Sequence, residues 1–126
     1  MSPTPRLGPM VPELHREYRP TSTSPADARA DVAVYLLEVG HAELFPVAAV
    51  LVSELVTNSV VHAEDVVTLR ARWTGDVLRV DVCDQGGGRP SEPVSERAFA
   101  TLDALATDWG VNRLDGTGRV TWFELK

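Results

Sequence analysis

Cysteine is almost missing from this chain. Cys83 stands alone, so no internal disulfide can form, and a reducing cytoplasmic setting is expected. No Cys/His spacing matches a zinc site. A basic surplus is lacking too, with 12 Lys and Arg against 18 Asp and Glu for a net charge of -6. The basic residues are scattered, which excludes nucleic acid as the main partner, because phosphate contacts need grouped cations. The N-terminus lacks the charged start and apolar core of a signal peptide. No uninterrupted apolar run approaches the ~18 residues of a membrane span, so a soluble protein without membrane contact is expected.

What is present suits one domain. At 126 residues, 44% apolar and 24% charged, the chain can bury a core but is too short for two ordinary domains. Residues 1–12 carry Pro3, Pro5, Pro9 and Pro12 and little periodicity, so a flexible segment is expected there, with the folded domain at 13–126.

A first strand is predicted over 13–19, ended by Pro20. Ser24 then reads as an N-cap, with Pro25 at the first helical position and Asp27 in the first turn. Val32, Leu36 and Val39 recur at helical spacing up to Gly40. A second helix, 44–62, is apolar on most of its surface and therefore buried. Strict alternation predicts strands at 67–73 and 78–82, joined in a hairpin at Gly75 and Asp76. Residues 84–95, rich in Gly and Pro, read as loop, and a third helix over 95–109 ends at Gly110. Residues 115–118 read as a turn and 120–125 as the last strand. The order β-α-α-β-β-α-β, with no repeat, predicts an α+β fold: a mixed, mostly antiparallel sheet covered on one face by three helices.

Two features carry potential chemistry. Glu54, Asn58 and His62 follow one another at i, i+4 and i+8 along the apolar second helix. A carboxylate there must face a partner or a cleft, since burial without one costs several kcal/mol. In a cleft, the Asn58 amide oxygen suits Mg²⁺ and Glu54 suits orienting or deprotonating a hydroxyl; alternatively, the stripe faces solvent. The second feature is Asp84, followed by Gln85, Gly86, Gly87 and Gly88. Alternation puts Asp84 on the side of Leu78, Val80 and Val82, under the helices. Its carboxylate can accept from an exocyclic amine while the glycines let backbone approach a ligand; the alternative is a plain turn.

Together these segments resemble a known superfamily. The run from Glu54 to Asn58, with His62 and Ala63, resembles the N box of the histidine-kinase-like ATPases, which include gyrase, the histidine kinases and the anti-sigma-factor serine kinases. The run from Val82 to Pro90 resembles the G1 box. Residues 104–110, then Gly116 to Arg119 and Trp122 to Leu125, resemble the C-terminal signature of the short anti-sigma members.

The resemblance implies a Bergerat-type two-layer sandwich that binds ATP and Mg²⁺. Asn58 would be the metal ligand, Glu54 the catalytic carboxylate, Asp84 the adenine reader and Gly86 and Gly88 the close-approach glycines. If active, the chain would be a serine/threonine kinase, a homodimer whose partners are a sigma factor or an anti-anti-sigma protein. The other reading is a non-catalytic binding module on the same fold. Where relatives carry a second motif near Gly-Arg-Gly-Leu, this chain has Glu96, Arg97, Ala98 and Phe99, so only Arg97 matches, as a nucleotide-binding residue. Glu96 is expected to bring a carboxylate toward the phosphates. The lid after Gly88 is short and carries Pro90 and Pro93. Val120 and Thr121 stand where relatives read Thr-Val, which predicts loss of a hydroxyl near the adenine. His15, His41 and His62 read as surface or packing residues, the three tryptophans as filling the core or the helix–sheet interface, and Cys83 as facing away from Asp84 without a role.

Overall fold

A computed structural model describes residues 12–85, 95–113 and 118–126. The expected flexible start, Gly86, Gly88, the lid and most of the 115–118 turn therefore lie outside the described residues. The elements are β1 (Leu14–Tyr18), α1 (Ser24–Val39), a short 3-10 turn (Ala42–Leu44), α2 (Phe45–His62), β2 (Val67–Trp73), β3 (Leu78–Gln85), α3 (Glu96–Leu105), β4 (Asp108–Arg113) and β5 (Gly118–Leu125). One sheet, in the order β1-β2-β3-β5-β4, is antiparallel at every pairing. The sheet is thus uniform where a mixed one was expected, and three helices lie against one face.

Alternation puts Val67, Leu69 and Ala71 of β2, Leu78, Val80 and Val82 of β3, and Phe123 and Leu125 of β5 into one buried layer. Against it pack Val32, Tyr35 and Leu36 of α1 and Leu51, Val52, Leu55 and Val56 of α2, all buried. Burying a side chain of this size contributes ~1.5–3 kcal/mol, so this layer is the main source of stability.

Three details differ from the sequence reading. Ser24 is the first helical residue, not the cap; its hydroxyl donates to the Arg19 carbonyl and accepts from Thr21 N–H at 3.1 Å, closing the turn out of β1. The third helix stops at Leu105. Ala106 is already extended (φ -81°, ψ 146°) and Thr107 N–H donates to the Glu124 carbonyl at 2.8 Å, so Trp109 belongs to β4. Trp109 still reaches helix α3, its ring 5.1 Å from Phe99, which is why helical spacing seemed to continue through it. Trp122 sits on the open face of the sheet, with the Arg79 guanidinium 4.0 Å from its ring centroid, and not in the core.

The stretch Ala42–Val61 is long and apolar enough to cross a membrane, although no uninterrupted apolar run was found there. Ser53, Glu54, Thr57, Asn58 and Ser59 break the run without lowering its mean enough to matter. In this fold the same stretch is the central helix of the layer on the sheet, with Leu51, Val52, Leu55 and Val56 in the core.

Candidate functional site

Helix α2 starts at a proline-bearing first turn and stays regular to its C-cap at Ala63. Its buried side is fixed by Leu51, Leu55 and Val56, which turns Glu54 and Asn58, one turn apart, toward the start of α3. A cleft of about 720 Å³ lies there, lined among others by Arg29, Glu54, Thr57, Asn58, Ser95 and Arg97. The cleft reading of the polar stripe therefore holds for Glu54 and Asn58. The side chain of His62 lies outside the described residues.

Both groups are engaged by the chain itself. Glu54 Oε1 is 2.8 Å from Arg97 Nε; Glu54 is 14% exposed and Arg97 86%. Asn58 Oδ1 accepts from Ser95 N–H at 3.2 Å. Ser95 is the N-cap of α3, its hydroxyl accepting from Ala98 N–H at 3.2 Å. Arg29, on α1, donates to Ser53 Oγ at 2.6 Å. Arg97 is thus the one residue of the altered glycine motif that enters the cleft. Glu96, expected near the phosphates, is exposed in the first turn of α3 and does not line the cleft; there it favours the positive helix end.

Asp84 behaves differently. It lies on β3, two residues beyond the expected end at 82, and points into the sheet–helix layer as alternation predicts, 1% exposed. Directly across the ladder is Arg119 of β5, whose Nε is 3.3 Å from Asp84 Oδ2. Arg119 is fully buried and heads the large buried side chains of the core. Asp84 Oδ1 has no hydrogen-bond partner among the described residues. Thr121, two residues along β5, is buried on the same face while Val120 faces outward. Asp84 lines neither the cleft nor a hollow of about 400 Å³ on the open face, which is bounded by Arg70, Asp81, Cys83 and Asn112. Cys83 lies in that hollow, opposite Asp84, and burial pushes its thiol pKa up, away from thiolate reactivity.

Arg119, Ser95 and Arg29 were missed from sequence. The signal for Arg119 was available: Arg119, Thr121, Phe123 and Leu125 share one parity, and the last two are plainly core residues. Ser95 was legible as an N-cap three residues before Ala98. Arg29 carried no sequence signal that separates it from other exposed helix residues.

As the described residues stand, Asp84 Oδ2 is held by the Arg119 guanidinium, a charge-assisted donor, and only Oδ1 is left to accept from an exocyclic amine. Asn58 Oδ1 accepts from Ser95 N–H through one lone pair, so a Mg²⁺ there would share this oxygen with Ser95. No group of three or more His, Cys, Asp or Glu able to hold a metal occurs among the described residues.

No protein-family model and no curated protein matches the chain. A solved structure of the RsbU and RsbW domains of Rv1364c from Mycobacterium tuberculosis matches with a TM-score of 0.73 at 24% identity. The match covers 91% of this chain and 32% of that one, so the chain spans about a third of that protein's length. With the five-stranded antiparallel sheet and three helices on one face, this likeness establishes the fold: a two-layer α+β sandwich shared with that structure.

Proposed function

We propose that this chain is a cytoplasmic regulatory module that works by binding another protein, a sigma factor or an anti-anti-sigma protein, without phosphoryl transfer. The observation that carries this reading is the engagement of both polar cleft residues of α2 by the start of α3. Arg97 holds the carboxylate of Glu54, and Ser95 N–H holds the amide oxygen of Asn58. These are the two groups that the resemblance assigns to catalysis and metal binding. With both engaged, the groups that would serve as general base and metal donor are each occupied within the chain.

The test is complex formation between the purified chain and candidate sigma and anti-anti-sigma proteins, followed by size-exclusion chromatography with light scattering. A complex that forms equally in nucleotide-free buffer and with ATP and Mg²⁺, leaving the partner unphosphorylated by intact-mass measurement, supports the reading. An ATP requirement or a phosphorylated partner overturns it. The same measurement gives the assembly state of the free chain, for which a homodimer is proposed.

A second reading is favoured by one observation, the cleft itself. Its volume of about 720 Å³ suits a nucleotide-sized ligand, and Arg29 lies at its wall. In that reading, α3 opens and frees Asn58 for Mg²⁺ and Glu54 for catalysis. Asp84 reads adenine, Gly86 and Gly88 approach the phosphates, and Arg97 turns from Glu54 to the nucleotide.

A further inference from the structure

We infer that Arg119 occupies the base-reading position of this fold from within, so that Asp84 recognises a guanidinium of its own chain in place of a purine. The inference deepens the nucleotide-free reading and rests on it, but it stands on a different part of the molecule from the cleft.

The β3–β5 register places Asp84 and Arg119 directly opposite one another, and both side chains enter the same layer. Their exposures are 1% and 0%, and Nε lies 3.3 Å from Oδ2. Core filling alone does not call for such a pair. Desolvating two charges costs about what their attraction returns, and apolar residues of similar volume usually serve as well or better. Leu78, Val80 and Val82 fill the adjoining positions of β3 in that apolar way.

The carboxylate, moreover, is only half used. Asp84 Oδ1 is buried with no hydrogen-bond partner among the described residues, so the site keeps one acceptor for a second donor. Thr121 brings a buried hydroxyl onto the same face. A carboxylate with two acceptor oxygens is a donor-reading site for a planar nitrogen group. Adenine and a guanidinium both present such groups. Arg119 supplies one permanently, at the high local concentration of an intramolecular ligand. With Arg119 in place, Asp84 is 1% exposed and lines neither of the two cavities described above.

Removing the guanidinium should therefore convert an internal contact into a ligand site. The experiment compares thermal melting of the wild type, Arg119→Ala and the double variant Asp84→Asn/Arg119→Ala, each with ethylguanidinium and with adenosine. Both probes lack phosphate, so the outcome is independent of the cleft and of any partner protein. The wild type should not respond to either probe. Arg119→Ala should melt lower, and saturating ethylguanidinium or adenosine should raise its midpoint by ~5 °C or more. The double variant, without the carboxylate, should not respond. If Arg119→Ala fails to fold alone, the readout becomes recovery of a cooperative melt on adding either probe.

Adenosine stabilising the wild type as much as the variant would overturn the inference. So would failure of both probes to stabilise or restore Arg119→Ala, or a response that persists without the Asp84 carboxylate. Loss of the partner complex, by contrast, would sink the regulatory reading and leave this result untouched.

Discussion

At the scale of single residues, Gly110 has a clear physical reason to be glycine. A Cβ there would lie 2.7 Å from the Trp122 ring, which crosses the open face opposite it and is held from above by Arg79. Gly110→Ala should destabilise by ~1–3 kcal/mol in urea unfolding, and the penalty should shrink in a Trp122→Leu background. The two tyrosines give a second prediction. Tyr18 has its pKa raised by burial first and then by its hydrogen bond to Asp31, donated at 2.6 Å; Tyr35 is raised mainly by burial. Both phenols hold their protons more tightly folded than unfolded, so the unfolded state loses protons first and stability must fall as pH rises above ~10. Ultraviolet titration of tyrosinate should show no ordinary tyrosine step near pH 10, only a late rise that coincides with loss of structure. Much at this scale was legible. Asp84 and Thr121 obey strand alternation, yet an arginine just after a glycine turn reads as surface, so Arg119 was passed over although the same rule places it inside.

At the scale of elements, the start of α3 joins two layers. Ser95 caps the helix with its hydroxyl and gives its backbone N–H to Asn58 on α2. Ser95→Ala should cost ~1 kcal/mol through the lost cap. Asn58→Ala leaves the Ser95 N–H without that acceptor and should cost ~1–2 kcal/mol. Since the two bonds meet at one residue, the double variant should cost less than the sum, a coupling measurable by a urea double-mutant cycle. The additive result would mean that α2 and α3 are not linked here. The long periodic elements α1, α2, β2 and the body of β3 were legible because hydrophobic pattern and turn residues agree along them. Strand β4 was not, because Trp109 packs on Phe99 and so satisfies the helical pattern from a strand. A six-residue edge strand with one inward apolar anchor has little alternation to read.

At the scale of the whole molecule, the fold and the regulatory reading make different demands on nucleotide. A ligand that binds only the folded state stabilises it by ~2.7 kcal/mol at a concentration of 100 times its dissociation constant. For a chain of this size that would move the melting midpoint by several degrees, well within the reach of calorimetry. A nucleotide-free module predicts no such movement at millimolar ATP and Mg²⁺. Glu96→Gly then discriminates between two causes of that silence. If the altered glycine motif were the obstacle, removing its carboxylate would restore binding. Glu96, however, is exposed and outside the cleft, whereas Asp84 is held by Arg119 within the core. Glu96→Gly should therefore leave the melt insensitive to ATP. It should also lower the midpoint slightly, since glycine replaces a good helix former and removes an acidic group from the positive end of α3. An ATP-dependent rise in that variant would move the obstacle from β5 to α3.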